Sequence, residues 1–412
     1  MGTGPLVSQR RAAPPGREAG GAGEYAAGDG TDGDGTDGDG TAADVTADAV
    51  AGGAGRADPA ILGAGSPATA TASLLARLRS GISELDPGYF ALVMATGIVS
   101  VAVGAAGAPG LSAVMLGLTI ACYLVLVAAY GWRAGRYRSR FLADAADPAK
   151  AFALFTFVAG SDVLGVRLAI DGRDAWTAVL LAVAAAAWLL LSYGIPLRLV
   201  SRHGPRPSPA GVNGLWFLWP VGTQSIAVAV TALPPGPARA LAPVAVCLWA
   251  VGVVLYLLIA GLVLAGLLLF PAEPAGLSPA YWVFMGATAI SVLAGAGVLG
   301  VRADPFVAAV HPVVAGLSVV LWAFGTWLIP LLIALGVWRH VVCRVPLRYG
   351  PSLWSMVFPL GMYCVASRAL GGALHVSWLV TAGRDGTWIA FGAWALVFAA
   401  MIASLARRPH PA

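Results

Sequence analysis

From Gly88 onward the chain is a succession of apolar runs separated by short polar stretches. Each run approaches the roughly 20 residues that carry a helix across ~30 Å of hydrocarbon. The runs fall at 88–106, 111–131, 151–170, 175–195, 212–233, 241–269, 280–300, 310–338, 353–372 and 387–405. They predict ten membrane-spanning helices and an all-α integral membrane protein. The sixth and eighth runs are long, which predicts tilt or an interfacial extension. Connections as short as 107–110 and 234–239 make successive spans antiparallel neighbours. No run alternates with the two-residue period of a barrel strand.

The segment ahead of these runs has another character. Residues 1–84 are rich in Gly, Ala and Asp, and hold the tandem GDGTDGDGTDGDGT from Gly28 to Thr41. Such a segment cannot bury enough apolar surface to offset chain entropy, so a disordered, solvated tail is expected. The Asp-Gly repeat lacks the bidentate Glu and the flanking helices of a calcium loop. The first 30 residues contain no apolar signal-peptide core. The predicted organisation is a tail over 1–84 and a membrane domain over 85–408.

Composition agrees with the pattern. The chain of 412 residues is 58% hydrophobic and only 11% charged, where soluble domains carry about 25% charge. The net charge of +5 rests on arginine, since Lys150 is the lone lysine. The arginines stand at the ends of apolar runs rather than on one polar face, which speaks against a nucleic-acid partner and for membrane topology. Alternate connections divide them unevenly, with fifteen Arg or Lys on one side and four on the other. The excess predicts that both termini are cytoplasmic, in a multi-pass protein of the plasma membrane. An even number of spans is consistent with that.

Catalytic signals are missing. The four cysteines, Cys122, Cys247, Cys343 and Cys364, form no C-x-x-C pair and read as small apolar residues. No Gly-rich phosphate loop, nucleophile elbow or H-E-x-x-H occurs. His311 and His375 lack further ligands at metal-binding spacing. The expectation is a non-enzyme with no metal and no cofactor. Without an ATP-binding motif, any transport follows existing gradients.

Helix-disrupting residues gather in every second run. The first holds Gly97, the third Gly160, the fifth Pro220 and Gly222, the seventh Gly286, and the ninth Pro359 and Gly361. The even runs are smoother. One reading is five hairpins, each with a bent inner and a straight outer helix, arranged so that freed backbone groups line a central conduit. The other is that small residues simply allow close helix packing.

Polar residues at membrane depth are few. Asp162 and Arg167 stand five apart on the third run, a poor spacing for an intrahelical pair. Arg368 on the ninth run is the expected partner for Asp162, with proton coupling as the other role for that carboxylate. Arg167 and Arg368 could concentrate anions at an outer mouth. Thr96, Ser100, Thr223, Gln224, Ser225, Thr288 and Ser291 sit near the disrupted positions, either as anion donors or bonded to carbonyls one turn back.

Six blocks carry a family resemblance. They are PGYFALVMATGIVSVA from Pro87, FTFVAGSDVLGVRL from Phe155, NGLWFLWPVGTQSIAV from Asn213, PAYWVFMGATAISVLAG from Pro279, WAFGTWLIPLLIALGVWRHV from Trp322 and YGPSLWSMVFPLGMYCVAS from Tyr349. Together, in order, they resemble the tellurite-resistance/dicarboxylate transporter family, which includes the plant slow anion channels. The resemblance implies ten helices in five hairpins around a pseudo-five-fold pore, assembled as a homotrimer. It implies small anions as substrates, of the C4-dicarboxylate, sulfite, tellurite, nitrate or halide class. It also places a pore-blocking phenylalanine on the ninth helix, which is Phe358 here. A proton-coupled dicarboxylate carrier, a sulfite or tellurite exporter, and a transport-inactive membrane receptor or scaffold are the competing readings.

Overall fold

The computed structural model describes residues 79–201, 211–271, 273–274, 276–301 and 305–406. The Asp-Gly repeat and the rest of the expected tail up to residue 78 lie outside the described residues. Residues 79–83 are helical and continue into the membrane domain.

The described residues are all-helical, without a strand. The long helices in chain order are α1 (Ala91–Ala105), α2 (Pro109–Arg136), α3 (Phe155–Ile170), α4 (Asp174–Val200), α5 (Leu218–Thr231), α6 (Ala242–Leu269), α7 (Val283–Gly300), α8 (Pro305–Val337), α9 (Trp354–Leu374) and α10 (Ser377–Ala406). Eight apolar helical segments are long enough to cross a membrane, counting the short 3₁₀ turns that lead into α3, α7 and α9. The helices α1 and α5, with 15 and 14 residues, fall short of that length. A 3₁₀ turn over Gly214–Phe217 leads into α5 and extends its coiled path.

Turn chemistry joins the helices tightly. Gly107 and Gly172 take positive φ (95° and 70°) between α1 and α2 and between α3 and α4, a region open to glycine at no steric cost. His375 takes the same left-handed conformation (φ 60°) between α9 and α10. The last helix begins at Ser377, earlier than the apolar run from 387 suggests. The charges of Arg384 and Asp385 fall inside it but pair with each other at 2.9 Å on an exposed face, so they do not end the helix.

Sequential neighbours pack against each other: α1 on α2, α3 on α4, α5 on α6, α7 on α8 and α9 on α10. The odd helices also pack on one another in the order α1, α3, α5, α7, α9 and back to α1. Burial follows the same division. α7 with its leading turn is mostly buried, whereas α10 is mostly exposed or half-buried. Long apolar side chains such as Leu124, Leu190, Leu258, Val320 and Leu396 stand exposed on the even helices. In water this would be an aggregation hazard, but it is the expected surface of a chain solvated by lipid.

Candidate functional site

Five glycines of the odd helices, Gly97, Gly160, Gly222, Gly286 and Gly361, sit where two of these helices meet. A methyl group on Gly97 would stand 2.8 Å from Val163 Cγ1, joining α1 to α3. One on Gly286 would stand 2.8 Å from Pro359 Cγ, and one on Gly361 2.9 Å from Ile98 Cγ2. One on Gly222 would meet Phe155 Cδ1 at 2.6 Å. Gly160 is looser, with its nearest neighbours at 3.6 Å on Phe90 and Val93. The chain remains α-helical through Gly97, Gly160, Pro359 and Gly361, and Pro220 lies in the first turn of α5. Gly97, Gly222, Gly286 and Gly361 are thus positions of close approach between odd helices.

That approach leaves a small cavity of about 20 Å³ between the odd helices, room for about one water. All five odd helices line it. Ile98 and Val101 come from α1, Asp162, Val163 and Val166 from α3, Ser225 and Val228 from α5, Ile290 and Leu293 from α7, and Met362 from α9. The wall is apolar except for Asp162 and Ser225. Asp162 is 1% exposed. The Ser225 hydroxyl lies 2.6 Å from Asp162 Oδ2, and Oδ1 is buried without a hydrogen-bond partner.

Phe358 is 1% exposed and directly precedes Pro359 in α9. It stands one turn before Met362, on the same face of the helix. It is not itself among the cavity-lining residues.

The other polar candidates are turned away from the cavity. Thr96 Oγ1 donates to Leu92 O at 2.8 Å, Thr223 Oγ1 to Trp219 O at 3.0 Å and Thr288 Oγ1 to Met285 O at 2.6 Å. Gln224 Nε2 donates to Trp249 O on α6 at 3.0 Å. These are the back-bonded or interhelical arrangements that hold a helix rather than a solute.

Sequence patterning missed a device repeated around the ring. Each even helix sends one aromatic side chain to a hydrogen bond on the next odd helix. Tyr123 of α2 reaches Ser161 Oγ on α3 at 3.0 Å, and Trp188 of α4 donates to Thr223 Oγ1 on α5 at 2.9 Å. Trp249 of α6 donates to Ser291 O on α7 at 3.0 Å, and Trp322 of α8 to Ser367 Oγ on α9 at 2.9 Å. Trp394 of α10 closes the series on Thr96 Oγ1 of α1 at 3.1 Å. A buried indole N–H needs an acceptor, and each finds it across a helix pair. Every even helix is thus tied to the odd helix that follows it as well as packed on the one before it.

The expected pairing of Asp162 with Arg368 does not form. Arg368 donates through Nη1 to Ala105 O at 2.6 Å, the last carbonyl of α1, where the helix dipole favours a cation. Arg167 is buried and pairs with Asp171 at 2.7 Å, four residues on. It also donates to Ser100 Oγ and Ser112 Oγ, both at 3.1 Å, and so staples α3 to α1 and α2. Both arginines lie at one end of the bundle, where α1 and α3 terminate. At the other end, Arg133 meets Asp144 at 2.5 Å and Lys150 meets the same carboxylate at 3.2 Å. Burial raises the affinity of Asp144 for a proton, but hydrogen bonds and charge from Arg133 and Lys150 outweigh it. The carboxyl is held below its ordinary value. Among the described residues no group of three or more His, Cys, Asp or Glu is placed to hold a metal.

A bundle of lipid-facing helices closed around an axial cavity defines a multi-pass membrane protein of the channel and transporter type. The chain belongs to the voltage-dependent anion channel (SLAC1) family, whose model matches residues 84–402. It is 25% identical over 325 residues to an uncharacterized transporter of Methanocaldococcus jannaschii, covering 76% of this chain and 92% of that protein. A second uncharacterized transporter of that organism is 23% identical over 338 residues, covering 80% of this chain and 95% of its own length. An uncharacterized membrane protein of Mycobacterium tuberculosis is 51% identical over 152 residues, 37% of this chain and 77% of that protein.

Proposed function

We propose that this protein conducts small anions down their gradients along the axis on which α1, α3, α5, α7 and α9 converge. In this reading all ten helices cross the membrane as five hairpins, with both termini on the cytoplasmic side of the plasma membrane. One observation carries it: the axial cavity takes lining residues from every odd helix. The closed order of helix contacts and the five aromatic ties support the hairpin ring. The passage is shut at rest, since the cavity holds about one water.

Phe358 is the gate in this reading. It sits one turn from the cavity on the same stripe of α9, and a bulky apolar ring there excludes both ions and water. A rotamer change beside Pro359 would clear the axis. The apolar outer faces of the even helices provide surface for lipid and for the neighbouring copies of a homotrimer. The substrate class is small anions, from halide and nitrate to sulfite, tellurite and C4-dicarboxylates.

The test is flux through purified protein in liposomes, with chloride, nitrate, sulfite and malate tried in turn. Phe358→Ala is expected to raise the flux of at least one anion about tenfold or more over wild type, a barrier change of about 1.4 kcal/mol. If wild type and Phe358→Ala are both silent toward every anion while remaining folded, conduction is wrong. A partner that co-purifies with such silent protein would favour the receptor or scaffold reading.

A further inference from the structure

A carboxylate is an odd group to find on an anion path. Asp162 nevertheless lines the axial cavity, and its Oδ1 is buried and unpartnered. An ionised carboxylate left in that position faces an apolar wall with no cation in contact, which is the least favourable way to bury a charge.

The surroundings supply no counter-charge. The helices α1 and α5, which pack on α3, contain no titratable side chain at all. On α2 the titratable groups are Cys122, Tyr130 and Tyr123, a phenol bonded to the neighbouring Ser161, with Arg133 engaged by Asp144 and Arg136 in the last turn. On α4 the titratable side chains are Asp174 and Arg198 near its two ends and Tyr193, which is exposed on the outer face. On α3 itself Arg167 is engaged with Asp171, Ser100 and Ser112. Arg368 is engaged with Ala105 O.

Proton counting sharpens the point. The Ser225 hydroxyl lies 2.6 Å from Asp162 Oδ2 and 2.9 Å from Gly222 O. It has one proton for two acceptors. With Asp162 protonated on Oδ2, the carboxyl donates to Ser225 Oγ and Ser225 donates to Gly222 O, so both hydroxyl protons find an acceptor and only Oδ1 stays unpaired. With the proton on Oδ1 instead, Ser225 donates to Oδ2 and the unpartnered Oδ1–H is left free to donate to a solute that reaches it. The first arrangement suits an empty cavity, and the second offers a hydrogen-bond donor to an anion inside it.

We propose that Asp162 and Ser225 form a proton-operated anion position on the axis, which admits an anion when the carboxyl is protonated and rejects it when the carboxyl is ionised. The proton comes from hydronium in the entering water: one O–H bond of H₃O⁺ breaks and leaves water as the O–H bond on Asp162 forms. The position rests on the conduction reading above. It adds a pH dependence of defined sign, with anion flux rising as the solution is acidified.

The experiment compares chloride and nitrate flux at about pH 5 and about pH 8, equal on both sides of the liposome, for wild type and Asp162→Asn. Wild type is expected to conduct about tenfold faster at the lower pH. Asp162→Asn, neutral at both values, is expected to hold its flux within about twofold between them. Ser225→Ala, which removes one partner without touching the carboxyl, is expected to move the midpoint of the pH profile. The proton site also has a readout independent of flux. An infrared difference spectrum between the two pH values is expected to show a protonated-carboxyl band in wild type that Asp162→Asn lacks.

Anion flux that is equal at both pH values in wild type, a tenfold ratio that survives Asp162→Asn, an unmoved midpoint in Ser225→Ala, or absence of the infrared band each overturn the proton-operated position. In the first of these the anions still move, so conduction stands while the Asp162 role falls. Silence of wild type and Phe358→Ala at both pH values overturns conduction, and anion admission falls with it.

Discussion

The odd and even helices of this protein are made of similar residues and solve opposite problems. Both sets are rich in Ala, Val, Leu and Gly. The odd helices bury most of their side chains, polar ones included, inside the bundle. The even helices keep a narrow inward stripe and leave the rest to lipid. Hydrophobicity does not separate them, because lipid and protein interior are equally apolar. What separates them is side-chain volume at the closest approaches. Gly286 on α7 stands against a neighbour's side chain, while Gly117 on α2 has nothing within 4 Å of where a side chain would begin; even-helix glycines such as Gly252 and Gly325 are tight only where they face an odd helix.

Replacing Gly286 with Leu tests that difference most severely. The new side chain would start 2.8 Å from Pro359 Cγ and 3.4 Å from Pro359 Cα, which belongs to a helix that cannot bend away easily. Overpacking of this kind costs about 1–3 kcal/mol or more, and here it also pushes α7 from α9 at the turn after Phe358. We expect loss of the folded monomer peak in detergent, or a melting temperature lowered by several degrees. Gly117→Leu is expected to leave both unchanged. Equal behaviour of the two variants would abolish the inner and outer distinction.

The distinction was partly legible in the sequence. Gly97, Gly222, Gly286, Pro359 and Gly361 mark alternate runs, and that alternation separates inner from outer helices correctly. The reason for it was ambiguous, since a glycine that bends a helix and one that admits a neighbour look alike in one dimension. Asp162 was visible as a charge at depth. Its partner was not, because a charge suggests an opposite charge and Arg368 was the natural candidate. Arg368 instead satisfies the end of α1, and Ser225, 63 residues away, approaches the carboxylate. The aromatic ties were hidden for a related reason. A tryptophan in an apolar run reads as packing, and its acceptor lies on a different helix pair.

A second contrast lies between the two ends of the bundle. At one end the buried guanidinium of Arg133 depends on Asp144, which also holds Lys150. Asp144→Asn leaves Arg133 with the Ser83 carbonyl as acceptor but no paired charge, at a cost of roughly 1–3 kcal/mol for a pair at the membrane edge. The pH dependence has a definite sign. The Asp144 carboxyl is held below its ordinary value in the folded state, so its contribution is complete above the unfolded value of about 4 and is lost as pH falls through the lower folded value. Thermal melts of wild type between about pH 5 and about pH 8 should show no change from this group. A change of flux in that window therefore cannot be assigned to Asp144. A melting temperature of Asp144→Asn equal to that of wild type at neutral pH would remove the pair from the account.

The aromatic ties should matter less than either feature, and nearly equally around the ring. Trp249→Phe removes one N–H donor and keeps most of the apolar volume. The carbonyl of Ser291 that it served is also the acceptor of an ordinary helix bond, so the expected loss is about 1 kcal/mol. Trp188→Phe, Trp322→Phe and Trp394→Phe should each cost about the same, read as melting temperature in one detergent. A tie whose loss has three or more times the effect of the others would show that the ring is not built of equivalent units.

The smallest effect belongs on the outer face of the even helices, and its smallness is informative. Leu190 on α4 is 76% exposed. In a soluble protein an exposed leucine changed to alanine alters little because water solvates both. Here the reason differs: an inserted helix keeps Leu190 in hydrocarbon whether or not the bundle is assembled, so no transfer between phases accompanies packing. Leu190→Ala is therefore expected to leave the melting temperature within about a degree of wild type in detergent and in bilayers. A distinct loss of stability would mean that this face is covered by protein rather than lipid, as it would be where copies of a trimer meet. Chemical cross-linking of Leu190→Cys between copies would then identify that contact.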